Sequence, residues 1–155
     1  MHDQVPLMSI VPAGCMDHAD VVLSGAGADE PRLRIDGASA RAILAEQAGL
    51  PSEFASCVDL LVAALGAFGC RLSRAEVWQE REARGCIYFE GDGAPAGIRG
   101  LPASLPLVIA ARLGIPVRFV THAEVRRAPE PALPPSVESF LSQLQLDGLG
   151  GAAAE

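Results

Sequence analysis

The most constraining feature of this chain is a strongly apolar, periodic segment near its middle. Between residues 52 and 69, apolar side chains recur at spacings of three and four, which is typical of a helix with one buried face. Ser52 is a residue type that caps a helix, and Gly69 is one that ends it. The predicted buried face is Cys57, Leu60, Leu61, Ala64, Leu65 and Phe68. A chain of 155 residues favours one hydrophobic core, so we expect the other elements to pack around this helix.

Strand-like segments lie on both sides of this helix. We predict strands over residues 5–11, 20–23, 31–35, 71–78, 85–90 and 117–121. A shift of apolar parity between Leu72 and Ala75 predicts a β-bulge. One further helix is expected to begin at Asp36 or Ser39, and another at Ser104. This order is not a strict alternation of strands and helices, and it predicts an α+β fold, a single compact domain with a mixed β-sheet packed against helices.

Charge and composition exclude several classes of function. The net charge of -7 argues against binding that relies on neutralising the phosphates of a duplex. Local positive charge is confined to three arginine pairs, which are the residues to test for nucleic-acid binding: Arg71 and Arg74, Arg81 and Arg84, Arg126 and Arg127. Lysine and asparagine are absent, which excludes a Walker-type phosphate loop and a Schiff-base lysine. The absence of lysine and the abundance of Ala, Arg, Gly and Pro fit a bacterial genome of high GC content.

The cysteines and the apolar segments bear on location. There is no CxxC pair, and Cys57, Cys70 and Cys86 fall in apolar segments, so we interpret these three as small core residues. No stretch has the composition of a signal peptide or the roughly 20 apolar residues that cross a bilayer. We therefore expect a cytoplasmic protein with no membrane partner.

Five places carry residues of catalytic or metal-binding type. Cys15, Asp17, His18 and Asp20 are chemically competent zinc ligands, but their spacing alone is weak evidence, and we favour a polar loop between two strands. Asp59 is either a general base or metal ligand drawn toward the interior, or an exposed acid that favours the helix dipole.

The other candidates lie at the ends of predicted elements. Ser104 is either a nucleophile or phosphate ligand at a helix N-terminus, or an ordinary cap. His122 follows a predicted strand and is either functional or an ordinary solvent-facing residue. Asp36 lies between a predicted strand and a predicted helix, which it can cap.

Several segments occur in an order that is typical of one known family. They are Val21-Val22-Leu23, residues 33–43, the Asp59-Leu60-Leu61 helix through Gly69-Cys70-Arg71-Leu72, residues 102–117 and Glu138-Ser139-Phe140-Leu141. In pattern and order they resemble the bifunctional nuclease family of bacterial and plant domains linked to DNase and RNase activity. The resemblance covers about residues 5–146. It implies a bifunctional-nuclease-like domain over residues 1–126. Composition and periodicity predict the rest of the chain: a proline-rich linker over 127–135, a C-terminal amphipathic helix over 136–147 and a disordered tail over 148–155.

The chain departs from the family pattern at polar positions. Val58 stands where the family commonly has a histidine, and Ser39 where it has a glutamate. The segment 102–105 keeps Ser104 but lacks the family's arginine and final aspartate. The remaining catalytic candidates are Asp59, Asp36, Ser104 and His122. No metal ligand is assigned, although Mg²⁺ or Mn²⁺ is expected if nuclease activity is retained, because metal-assisted cleavage needs a divalent cation.

Three hypotheses for the function follow. The first is a divergent, metal-dependent phosphodiester hydrolase that cleaves DNA or RNA. The second is a family scaffold whose more apolar pocket binds or transforms a small molecule. The third is a non-catalytic interaction module. The resemblance and the apolar C-terminal helix together predict a homo-oligomer, with a dimer favoured.

Overall fold

The structure is a computed structural model that describes residues 8–12, 17–23, 32–51, 53–90, 95–139 and 142–143. Its elements in chain order are β1 (Met8–Pro12), β2 (His18–Leu23), β3 (Arg32–Asp36), α1 (Gly37–Gln47), α2 (Glu53–Ala67), β4 (Leu72–Gln79), β5 (Ala83–Phe89), β6 (Ala96–Pro102), α3 (Ser104–Leu113), β7 (Val117–Phe119) and α4 (His122–Arg127). Residues 135–139 form one more short helical stretch. The predicted α+β class is confirmed.

The described strands form two sheets, one of which is the mixed sheet that the sequence predicts. One is antiparallel with the order β1-β2-β3, and the other is mixed with the order β6-β5-β4-β7, in which β7 runs parallel to β4. The sheets adjoin at β3, where the backbone N–H of Arg34 donates to Oε1 of Gln79 at 3.1 Å. A side chain of β4 thus takes the place that a ladder partner would have, and the two sheets stay separate.

Helix α3 lies at the centre of the core. Leu107, Val108 and Ile109 have no exposed surface, and they belong to one apolar cluster with Ala75 and Val77 of β4. Helix α1 packs against α3 and the three-stranded sheet, and α2 packs against α3 alone among the elements that it contacts extensively. α3 is therefore covered from several sides. Its consecutive apolar residues point in several directions around the helix axis, and each needs a neighbour to bury it.

The apolar face predicted for α2 is wrong in its main members. Val58 and Leu65 are buried, whereas Cys57 and Ala64 are exposed and Leu60 is 72% exposed. The helix is apolar on nearly all sides, so its periodicity does not specify which stripe meets α3. Of the three cysteines interpreted as core residues, only Cys86 is buried, while Cys70 is partly buried.

Local predictions had mixed outcomes. The register of β4 and β5 shifts between Leu72 and Arg74, which confirms the bulge. The strand β6 was missed, because glycine and proline in Ala96–Pro102 hide its pattern. The strand predicted to reach Thr121 ends at Phe119, since Thr121 caps the unpredicted helix α4 in a capping box with Glu124.

Other predictions lie outside the described residues. These are the turn at 25–29, the cap at Ser52, the apolar face at Phe140 and Leu141, and the tail 148–155. Within the proline-rich segment, Ala132 forms a bridge with Ala96, at one end of the β6 edge. Over the part of the chain that is described, no helix is long and apolar enough to cross a membrane.

Candidate functional site

A cleft of about 370 Å³ opens where the two sheets meet. Its polar lining includes His18, Arg34, Asp36, Arg81, Glu82 and Ser104. Helices α1 and α3 both begin here, because Asp36 immediately precedes α1 and Ser104 is the first residue of α3. The fold therefore brings together two of the four predicted catalytic residues, Asp36 and Ser104.

Asp36 is the N-cap of α1, as the sequence predicted. Its Oδ1 accepts the backbone N–H of Ser39 at 2.9 Å, and its Oδ2 accepts the Ser39 hydroxyl at 2.6 Å. These two bonds, the hydroxyl first, lower the pKa of the Asp36 carboxyl. Asp36 is thus an anion at neutral pH, and because a carboxylate has about four acceptor sites it can still accept another donor.

His18 lies directly opposite Asp36 in the antiparallel pair of β2 and β3. Such cross-strand neighbours have Cβ atoms about 5 Å apart, which is close enough for their side chains to interact. A histidine beside a carboxylate can be oriented by it and can accept or donate a proton near neutral pH. The sequence singled out His18 only as a zinc ligand, and its pairing with Asp36 required knowledge of the strand register.

Ser104 does not cap α3, contrary to the prediction. Ala103 occupies the N-cap position and provides no side-chain hydrogen bond, while its own N–H donates to the carbonyl of Ala83 at 3.1 Å. This bond to β5 starts the helix one residue earlier than a serine cap would. Pro106 has no N–H, so the first turn of α3 offers the backbone N–H groups of Ser104 and Leu105, which have no side-chain acceptor at the cap. Such a helix end favours an anion.

Charges of both signs line the cleft. The Arg34 Nε lies 3.3 Å from Oδ1 of Asp20, and Arg84 pairs with Glu82 at 3.2 Å. Arg81 is exposed in the turn between β4 and β5. The cleft therefore offers arginine donors, a histidine, carboxylates and a helix N-terminus to one ligand.

Asp59 lies elsewhere, in an ion-pair network that joins three helices. Its two carboxylate oxygens accept from Nε and Nη2 of Arg112 at 2.7 and 2.6 Å, and Nη1 of Arg112 lies 3.1 Å from Glu46. The Arg112 hydrogen bonds lower the pKa of Asp59 and raise the pKa of Arg112. The Asp59 side chain is 59% exposed, so the interpretation as an acid drawn toward the interior is wrong.

His122 is the first residue of α4, and Nε2 of its ring lies 3.2 Å from Oε1 of Glu80. The same oxygen accepts the indole N–H of Trp78 at 2.8 Å. His122 thus contacts the end of β4, and it does not line the cleft that holds Asp36 and Ser104.

No three His, Cys, Asp or Glu side chains come close enough to hold a metal ion within the described ranges, and Cys15 of the suggested zinc loop lies outside them. Sequence reasoning missed Arg34, Arg81 and Glu82 as members of one site. The sequence shows that the turn between β4 and β5 is charged, but nothing in it places β3 beside that turn.

Comparison with known proteins adds no constraint: no family model matches the sequence, and no curated protein matches it.

Proposed function

We propose that this chain is a divergent member of the bifunctional nuclease family that binds and hydrolyses phosphodiesters in the cleft between its two sheets. The observation that carries the proposal is the meeting of His18, Asp36 and the uncapped N-terminus of α3 at one cleft. In this proposal Asp59 and His122 are not catalytic: Asp59 holds Arg112, and His122 contacts Glu80.

Each residue of the cleft has a role that follows from its chemistry. The first-turn N–H groups of α3 and the Ser104 hydroxyl bind a non-bridging phosphate oxygen, as helix N-termini bind anions. His18 takes the proton of the attacking water, and Asp36, its neighbour across the β2–β3 pair, is near enough to orient the imidazole. The P–O bond to the leaving group breaks, and solvent water protonates the leaving oxygen. The exposed Arg81 contributes positive charge for the negative substrate.

The cleft offers two carboxylates to a divalent cation, so water and substrate would supply its other ligands. Mg²⁺ is commonly held by only one or two protein carboxylates, with waters and substrate phosphates as its other ligands. Asp36 and Glu82 are the carboxylates of the cleft that suit that role. The ion would neutralise charge on the phosphate as the bond to the leaving group breaks.

The experiment is cleavage of single- and double-stranded DNA and RNA by the purified protein in Mg²⁺, Mn²⁺ or EDTA. We expect His18→Gln to lower the rate by about 100-fold, the usual contribution of a general base. Ser104→Ala should lower it by about tenfold, because the helix N–H groups remain. Arg41→Gln, an exposed arginine of α1, is the matched control and should cleave like the wild type.

Two outcomes contradict the proposal. Absence of cleavage above the background of a mock preparation, from folded protein, removes the hydrolase function for these substrates. Loss of cleavage in Asp59→Asn, with full activity in both cleft variants, moves the site away from the cleft to the position that the family pattern suggests.

A second candidate function is favoured by the outer side of α2. Its exposed side chains are apolar or small, including Leu60, Ala63, Ala64 and Ala67, and the nearby charge of Asp59 is engaged by Arg112. Two copies that each carry a net charge of -7 repel one another, and an uncharged contact surface adds nothing to that repulsion. We infer that the predicted homo-oligomer is a dimer formed through this side of α2, and the mass of the protein in solution tests it.

A further inference from the structure

A second pocket, which no prediction anticipated, lies on the outer face of the four-stranded sheet. Along β4, Ala75 and Val77 point to the α3 side and join the main core, so the alternate residues Arg74, Glu76 and Trp78 point away from it. Helix α4 and the residues after it form the opposite wall, through Glu124, Val125 and Pro129. The enclosed space measures about 160 Å³.

The base of this pocket is apolar and firmly packed. Trp78, Cys86, Tyr88 and Val120 form a small buried cluster that is separate from the main core, and Val125 of α4 packs against it. The Tyr88 hydroxyl donates to Oε2 of Glu76 at 3.0 Å. The base is therefore preformed, and a ligand need not order it.

The rim carries three guanidinium groups from three different strands. Arg74 lies over the Tyr88 ring at 4.0 Å from its centroid, Nη2 of Arg99 donates to the carbonyl of Pro129 at 3.0 Å, and Nη2 of Arg118 donates to Glu124 at 3.4 Å. We call this site, defined by Arg74, Arg99, Arg118, Trp78, Tyr88 and Val120, the arginine pocket.

The guanidinium groups have more donors than the pocket has acceptors. Each arginine carries five N–H donors. Glu124 pairs with Arg118, and Oε1 of Glu76 lies 3.9 Å from Nε of Arg74, so each acidic side chain of the pocket faces one arginine. Arg99 donates to a backbone carbonyl, and no carboxylate among the described residues pairs with it. Three positive and two negative groups leave a local positive excess in a chain whose net charge is -7.

We propose that the arginine pocket binds a small phosphate monoester. Three arginines that approach from different strands suit the several oxygens of a tetrahedral phosphate, whereas a single bidentate arginine suffices for a carboxylate. The pocket volume of about 160 Å³ suits a phosphate that carries a small organic group. The organic group packs against Val120 and Val125.

This site is independent of the cleft. The arginine pocket lies on the side of β4 that faces away from α3, and none of its residues lines the cleft. The arginine pocket is proposed to bind a small molecule, whereas the cleft is proposed to bind a nucleic-acid strand. The inference therefore does not rest on the proposed hydrolase function and can succeed or fail separately.

The chain supplies its own probe of binding, because Trp78 is its single tryptophan and lies in this pocket. The experiment is a titration of the full chain with phenyl phosphate at constant ionic strength, followed by tryptophan fluorescence and by calorimetry. We expect a saturable signal that Arg99→Gln and Arg118→Gln each weaken by about tenfold, the effect of one lost charge-assisted bond. Arg41→Gln on α1, which lines neither site, is the control that should bind normally.

Parallel arms decide the chemistry of the ligand. Inorganic phosphate should compete, and benzoate should bind much more weakly. Equal binding of benzoate and phenyl phosphate overturns the assignment to a phosphate. Absence of a saturable signal in wild-type protein that thermal unfolding shows to be folded removes the site altogether. Weakening in Arg41→Gln equal to that in the pocket variants removes it as well.

Discussion

Helices α2 and α3 have similar apolar sequences, and the fold treats them differently. α3 buries five consecutive residues, from Pro106 to Ala110. Among the α2 side chains that the structure describes, only Val58 and Leu65 are buried, and Leu60 is 72% exposed. Apolar composition therefore does not determine which helix is buried. The number of helices and strands packed around a helix decides whether it lies at the centre of the core. The difference also leaves α2 with an apolar surface that the monomer does not use.

The largest expected effect is a difference in stability between equivalent leucine truncations. Leu107→Ala should lower the free energy of unfolding by about 2–5 kcal/mol, because Leu107 has no exposed surface and its removal leaves a cavity. Leu60→Ala should lower it by less than about 0.5 kcal/mol. Urea unfolding, monitored by circular dichroism at a concentration where the protein is monomeric, measures both. Equal losses would show that the two helices are equally central.

This contrast marks how far the sequence predicts the fold. The three long helices, six of the seven described strands and the bulge after Leu72 follow from local patterns, because each depends on residues close in the chain. The two sheets adjoin through a contact between Arg34 and Gln79, which are 45 residues apart. No periodicity encodes such a contact, so the second sheet was not predicted, and the buried face predicted for α2 was wrong.

Part of the candidate site also follows from local sequence, and part depends on contacts between residues far apart in the chain. Asp36 is predictable, since an aspartate between a strand and a helix is a common cap. Its approach to Ser104 depends on how α1 and α3 are brought to one cleft, and the sequence gives no measure of that. Asp59 and Arg112 are 53 residues apart, and only the packing of α2 on α3 shows that the acid is used to hold an arginine.

The ion pair of Asp59 with Arg112 supplies a polar link between the two helices, and its loss should have the next largest effect. Asp59→Asn should destabilise the protein near neutral pH, because the carboxylate that accepts two bonds from Arg112 is removed. The pKa of Asp59 is lowered from its ordinary value of 3.8 in the folded state. Its contribution is therefore complete above that value and is lost as the pH falls through the lower folded-state pKa.

Urea unfolding of wild type and variant near pH 7 and at about pH 3 tests this link. The difference between the two proteins should shrink at the lower pH. Glu130→Gln, which removes an exposed carboxylate after α4, is the matched control for the change in net charge. A difference that persists unchanged at low pH would mean that the variant acts through packing of α2 and not through the ion pair.

The smallest expected effect on the stability of the monomer comes from a charge on the bare side of α2, and it tells the most about why that side is apolar. Leu60→Asp should leave the free energy of unfolding of the monomer nearly unchanged, because Leu60 contacts little within the chain. It should abolish self-association, since two aspartates brought together over an apolar surface are desolvated without partners. Analytical ultracentrifugation of wild type, Leu60→Asp and the control Leu44→Asp, a leucine of α1 that is 46% exposed, measures the mass directly. A wild type that sediments as a monomer, or a dimer that survives in Leu60→Asp and is lost in Leu44→Asp, contradicts the assignment of α2 as the surface that a second copy covers.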